Sequence, residues 1–200
     1  MNIVIFVSGR GSNLKAVLAS KELEGLVKVV AVISDKSFCP AFHIAENNSI
    51  PTYTFNNKAG CLNNHELLRL LNKNEVDLIV LAGFLKLIPN EIIDAFRNRI
   101  INIHPALLPS FGGKGMYGIN VHKAVFDSSA KVSGATVHFV DYTYDTGSII
   151  AQKCVDISDV KSPEEIAERV LKIEHELLPF VIKKLVFNEV KIENKRVFVN

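Results

Sequence analysis

Ile3-Val4-Ile5-Phe6-Val7-Ser8-Gly9-Arg10-Gly11-Ser12-Asn13-Leu14 is the stretch on which the fold turns. Five uncharged apolar residues read as a strand, two glycines break it, and a helical pattern runs from Leu14 to Ser20. The same beat recurs. Val27–Ile33 is a second apolar run ending at Ser34-Asp35, followed by a helix over Pro40–Asn47 and a short strand near Thr52–Phe55. Leu62–Asn72 spaces its leucines as a helix does, Asp77–Ala82 is a buried strand, Pro89–Phe96 is a helix with proline near its first position, and Ile100–Ile103 is another strand. Strands alternating with helices imply right-handed βαβ units. The expected class is α/β: a Rossmann-like, mostly parallel sheet flanked by helices.

After His104 the pattern changes. Ser110–Gly118 is a glycine-rich loop and Asn120–Asp127 a short helix. Val132–Val140 and Ile149–Val155 are longer runs of β-formers, expected as antiparallel or mixed additions to the sheet. Ser162-Pro163-Glu164-Glu165 reads as a capping box with proline at the first helical position, opening an amphipathic helix to Val186. Val190–Val199 reads as a hairpin. No linker-like stretch divides the chain, and 200 residues at 48% hydrophobic content suit one domain over 1–200.

A net charge of +2 gives no basic footprint for nucleic acid. The cysteines Cys39, Cys61 and Cys154 are odd in number and form no C-x-x-C, against a disulfide framework or a zinc ribbon and in favour of a reducing, cytoplasmic setting. The N-terminus reads as a strand without a signal peptide. The richest apolar stretch, Val76–Ile88, is broken by Asp77 and Lys86 and is too short for a bilayer, so no membrane association is expected.

Ile101-Asn102-Ile103-His104-Pro105 carries the chemistry. Alternate strand residues share a face, so Asn102 and His104 point the same way, and Pro105 ends the ladder. The pair thereby falls at the carboxyl end of a strand, where open α/β sheets bind ligands. An amide stabilises an oxyanion and an imidazole moves a proton, which suggests acyl-group chemistry. The Ser8–Asn13 turn offers helix N-terminal amides to an anion. Leu14 replaces the third glycine of a dinucleotide fingerprint, which weakens Asp35 as a ribose ligand and suits one phosphate; a bare strand-to-helix turn explains the loop equally well. Gly112–Gly115 lacks the spacing of a nucleotide P-loop. No H-E-x-x-H occurs among the six histidines, so no metal is expected. His122, His138 and His175 read as structural, and Asp141–Gly147 either orients an imidazole with a carboxylate or merely connects two strands, with Gly147 supplying a positive-φ turn.

Taken in order, "SGRGSNL", "LAGFLKLI", "INIHPALLPSF", "GATVHFVDYTYDTGSIIAQ" and "IEHELLP" resemble the glycinamide ribonucleotide formyltransferases of purine biosynthesis along essentially the whole chain. The resemblance implies the formyltransferase fold, with the ribonucleotide phosphate site in the N-terminal half and the C-terminal half completing a folate cleft. It implies formyl transfer from 10-formyltetrahydrofolate, as cosubstrate and without a metal, to the amine of 5'-phosphoribosylglycinamide. Implied catalytic residues are Asn102, His104 and Asp145. Gly11, Ser12 and Asn13 would hold the phosphate, and Leu171, Lys172, Ile173 and Glu174 more of the ribonucleotide. Leu85, Lys86, Leu87 and Ile88, with Asn102 and with Asp141, Tyr142, Thr143, Tyr144 and Asp145, would hold the folate.

On this reading Asn102 and a protonated His104 stabilise the tetrahedral oxyanion, while Asp145 raises the His104 pKa by its opposite charge. Partners are small molecules, and the chain is expected as a monomer or weak homodimer. Many members carry an arginine near the helix after the third strand; Asn57-Lys58-Ala59-Gly60-Cys61 stands here instead, with Lys58 as a less rigid substitute, which leaves the preferred folate tail open. The 110–119 loop is longer than in some members, and its closure is open too. The alternatives are a formyltetrahydrofolate hydrolase, which usually carries an extra N-terminal domain, a methionyl-tRNA formyltransferase, which typically adds a C-terminal RNA-binding domain, and a non-catalytic ribonucleotide or folate sensor.

Overall fold

The computed structural model describes every residue except Asn57 and Lys195. The chain packs as two compact units, Met1–Asn102 and Ile103–Asn200, with the boundary inside one strand.

The first unit is built as its apolar runs require. Strands β1 (Asn2–Val7), β2 (Lys28–Ser34), β3 (Thr52–Thr54), β4 (Leu78–Leu81) and β5 (Ile100–His104) lie in the order β3-β2-β1-β4-β5, every neighbouring pair parallel. β1 is central: Ile5 pairs with Val32 on one side and Val80 on the other. Ile3 to Val7 are all buried, because a parallel sheet covered on both faces has no solvent side. The helices are α1 (Ser12–Ala19), α2 (Ala41–Asn47), α3 (Asn64–Lys73) and α4 (Asn90–Ala95). α3 begins two residues later than its leucine spacing predicts. Asn63 accepts from the Glu66 N–H and Glu66 accepts from the Asn63 N–H, a reciprocal cap that fixes the start.

The second unit holds α5 (Ile119–Asp127), the antiparallel pair β6 (Val132–Phe139) and β7 (Ile149–Asp156), the long helix α6 (Pro163–Val186), and the hairpin β8 (Val190–Glu193) and β9 (Arg196–Val199). α6 packs on β6, β7 and α5 through a stripe that includes Ile166, Val170, Leu178, Val181 and Ile182. Its start is half the expected capping box. Ser162 accepts from the Glu165 N–H, but the Glu165 carboxylate turns to the Lys161 N–H instead of that of Ser162. The strands are mostly parallel and flanked by helices, as the sequence pattern predicts. No helix among the described residues is long and apolar enough to cross a membrane.

Candidate active site

In the first unit, the β1–α1 turn is shaped by packing as much as by any ligand. Gly11 has φ 77°, and a Cβ there would lie 2.7 Å from the Ala41 Cβ. Glycine is therefore required by the fold itself, whatever approaches the backbone. Ser12 and Asn13 open α1, whose first amides lack intrahelical acceptors. Asp35 is not directed to a ribose: its carboxylate accepts the Ser8 hydroxyl at 2.6 Å. That hydroxyl in turn accepts from the Leu85 N–H, and Lys36 donates to the Ser8 carbonyl. This network ties the glycine turn to the segment after β4. Within that segment Lys86 and Leu87 are exposed, Leu85 half-buried and Ile88 buried. Lys58 is exposed, and of the stretch read as replacing an arginine, Asn57 lies outside the described residues.

In the second unit, a buried polar cluster forms around the residues after β5. His104 is 3% exposed. Its Nδ1 lies 3.6 Å from Oδ2 of Asp145, the pairing that the sequence predicts. Its Nε2 lies 2.9 Å from the Phe111 carbonyl, so that nitrogen carries a proton and donates. Oδ2 of Asp145 also accepts the Gly113 N–H at 2.8 Å. The glycine-rich loop is thus fastened to both members of the pair.

The loop that carries Asp145 differs in detail from expectation. Gly147 does not take a positive φ; Asp145 itself does, at 57°. Aspartate is among the residues that tolerate this region. Gly147 is required for a different reason: a Cβ there would fall 1.8 Å from the Phe139 carbonyl oxygen. The folate-side positions Asp141, Tyr142 and Thr143 are exposed, with Tyr144 and Asp145 half-buried. Leu171, Lys172, Ile173 and Glu174 form one turn of α6, of which Glu174 alone is buried.

The segment after His104 is seated by a hydrogen-bond network among residues of the quoted motifs that carry no expected role. Thr136 on β6 donates to the Ala106 carbonyl at 2.6 Å and accepts from the Leu108 N–H, while Gln152 on β7 donates to the Leu108 carbonyl. Gly134 leaves room for Leu107, whose Cδ2 would lie 2.9 Å from an added Cβ. Gly134, Thr136 and His138 alternate along β6 and so share a face. His138, read from sequence as structural, lies with Nε2 3.6 Å from Oδ1 of Asp145. The signal was in the alternation: two small or polar residues precede it on the same face of a buried strand.

The ionisation of His104 corrects the expected mechanism. Burial pushes its pKa below the ordinary histidine value; the Asp145 charge and the Phe111 carbonyl pull the other way, His138 adds to the fall, and burial wins. The resting imidazole is therefore neutral at pH 7, not protonated. Burial likewise pushes Asp145 up, but the His138 side chain, the charge of His104 and the Gly113 N–H outweigh it, so the carboxyl stays ionised. His122 on α5 is pushed down to about 4, by burial first and by the charge of His104 second.

The chain matches the formyl transferase family over residues 1–182. It is 45% identical over 195 residues to "Phosphoribosylglycinamide formyltransferase, chloroplastic" of Arabidopsis thaliana, covering 94% of this chain and 66% of that one. It is 38% identical over 187 residues to phosphoribosylglycinamide formyltransferase of Bacillus subtilis, covering 90% and 92%. The solved structure of phosphoribosylglycinamide formyltransferase from Anaplasma phagocytophilum superposes with a TM-score of 0.90 at 31% identity, covering 100% of this chain and 94% of the other. The chain thus spans just under two thirds of the length of its plant relative and nearly all of the bacterial ones.

Proposed function

Because this chain belongs to the formyl transferase family, we propose that it transfers the formyl group of 10-formyltetrahydrofolate to the amine of 5'-phosphoribosylglycinamide in purine biosynthesis. The observation that carries this reading is the buried His104–Asp145 pair at the end of β5, two residues after Asn102 on the same strand. Relatives named for that reaction supply the substrates.

The amine attacks the formyl carbon, and the carbonyl oxygen takes up the charge. The Asn102 amide and the Nε2–H of neutral His104 donate to that oxyanion, the latter exchanging the Phe111 carbonyl for the stronger acceptor. The new carbon–nitrogen bond forms in that addition, and the carbonyl re-forms as the bond to the folate nitrogen breaks. The proton lost by the amine ends on that nitrogen, so the protein groups return to their starting state. The Phe111 carbonyl keeps the ring proton on Nε2, while Asp145 lies against Nδ1 at the ring's other edge. Gly11, Ser12 and Asn13 bind the phosphate through the α1 N-terminus, with Leu171–Glu174 engaging more of the ribonucleotide. Leu85–Ile88 and Asp141–Asp145 bind the folate. We place the chain in the cytoplasm as a monomer or weak homodimer; its three cysteines are free, as a reducing compartment allows.

The test follows folate absorbance with 10-formyltetrahydrofolate, with and without 5'-phosphoribosylglycinamide. Turnover that requires the amine supports transfer. Equal turnover without it would make the chain a hydrolase, and ligand binding without turnover would make it a sensor.

A further inference from the structure

We propose that Ser8 is a positioning residue that couples the two ligands: its hydroxyl hangs the Leu85–Ile88 segment on the residue where the phosphate turn begins. The inference rests on the reading above for which ligand each segment binds, though not for the attachment itself. Both segments belong to the first unit, Met1–Asn102.

Ser8 follows β1, is 2% exposed, and takes no part in the chemistry derived above. Each of its polar atoms is engaged. Its N–H donates to the Gly83 carbonyl at 3.0 Å, and its carbonyl accepts from the Lys36 ammonium at 2.7 Å. Its hydroxyl donates to Oδ1 of Asp35 at 2.6 Å, a length usual for a hydroxyl on a carboxylate. With that proton committed, the oxygen turns its lone pairs elsewhere, and the Leu85 N–H donates to it at 3.0 Å. A hydroxyl otherwise rotates to suit its surroundings. Asp35 therefore fixes this one as an acceptor for Leu85.

The strand ladder does not reach that far. The chain leaves β4 through Gly83 at φ 77°. Beyond it, the Phe84 ring meets Phe6 edge-on with centroids 5.2 Å apart, and the Leu85 N–H meets the Ser8 hydroxyl. The second of these contacts leads directly into the turn. The Gly9 carbonyl accepts the Ala41 N–H and the Cys39 thiol, both at 3.3 Å, and Gly11 packs against Ala41. One side of the turn is thus pinned to α2 and its neighbourhood, and its first residue is bonded to the folate-side segment. Seating an anion on the α1 amides fixes the turn and with it Ser8. A folate then meets a segment that is already held, so each ligand favours the other.

The test is calorimetric binding of tetrahydrofolate to the full chain, alone and with saturating 5'-phosphoribosylglycinamide, a pair that cannot react. In the wild type the ribonucleotide should tighten tetrahydrofolate binding by about fivefold or more. Ser8→Ala should bind tetrahydrofolate alone about three- to tenfold more weakly, the net worth of one hydrogen bond, and the tightening should vanish. Asp35→Asn keeps an oxygen for the hydroxyl proton and should retain the coupling, whereas Asp35→Ala should lower it. The Asn56 bond to the Asp35 backbone carbonyl survives both changes. Amide exchange in the unliganded chain reads the attachment itself: the Leu85 N–H should exchange about tenfold faster in Ser8→Ala. Binding without coupling in the wild type, coupling in Ser8→Ala equal to wild type, or an unchanged Leu85 exchange rate would overturn the proposal. If Ser8→Ala does not fold, Asp35→Ala decides by the same ratio. If the wild type binds neither compound, the assigned activity falls and the coupling with it, while faster Leu85 exchange in Ser8→Ala leaves the attachment standing.

Discussion

Acidification should unfold this protein partly through one helix histidine, and the size of the effect follows from where that residue lies. His122 is 5% exposed on α5, and its Nδ1 meets no hydrogen-bond partner among the described residues. Its pKa falls from the ordinary 6.5 to about 4, through burial first and the charge of His104 second. The unfolded chain therefore binds more protons than the folded one between those values, so stability drops as pH falls through that window and levels off below it. At about 1.4 kcal/mol per tenfold change in proton affinity, the loss between pH 7.5 and pH 5 is about 2 kcal/mol. His122→Met removes the titration, keeps a helix-former and fills a similar volume with an adaptable side chain. Urea unfolding followed by circular dichroism should show the variant within about 1 kcal/mol of wild type at pH 7.5, since an unpartnered buried polar atom is lost along with the ring. At pH 5 the balance should move about 2 kcal/mol toward the variant. His175, also pushed down by burial, acts in both proteins and cancels in the difference. A difference between variant and wild type that is the same at both pH values would refute the reasoning.

Asp145→Asn should lower turnover by about a hundredfold or more while moving the His104 titration further down, because the Asp145 charge is what opposes burial there. Combined with His104→Ala it should cost little beyond the larger single loss, and multiplicative losses in kcat would show that the groups act separately. Gly11→Ala meets both a φ of 77° and the Ala41 Cβ, so thermal unfolding should show a loss of about 2 kcal/mol or more even without ligand; an unchanged Tm with weakened ribonucleotide binding would return Gly11 to a purely ligand-facing role. Lys58→Ala should change folate affinity by less than about tenfold, as an exposed and screened charge does; a loss of several orders of magnitude in a titration would mark a buried anchor. Gly147→Ala forces the Phe139 carbonyl and the Asp145 loop apart, so kcat should fall more than ribonucleotide affinity, and normal kinetics would show that the loop's placement is not critical.

What the sequence discloses and what it hides divide along a physical line. The parallel strands are legible because burial on both faces writes itself as unbroken apolar runs, as in Ile3–Val7 and Leu78–Leu81. The His104–Asp145 pair is legible through the family resemblance, since the residues of Asp141–Gly147 alone suit a plain strand connection as well. The start of α3 is hidden from leucine spacing, since the Asn63–Glu66 cap that sets it is polar and precedes the apolar stripe. Gly147 illustrates a different blindness. A glycine in a loop suggests a positive φ, yet here the demand is room for a carbonyl oxygen contributed by Phe139, and the left-handed residue is the carboxylate beside it. The charge state of His104 is more remote still. Its neighbouring carboxylate can be inferred from the motif and argues for a cation; the burial that outweighs it comes from packing spread over the whole unit. A motif therefore names the groups that meet, while their protonation is set by everything that excludes water from them. That is why His138 escapes attention as a lone strand histidine and matters once its ring is found on the second oxygen of Asp145.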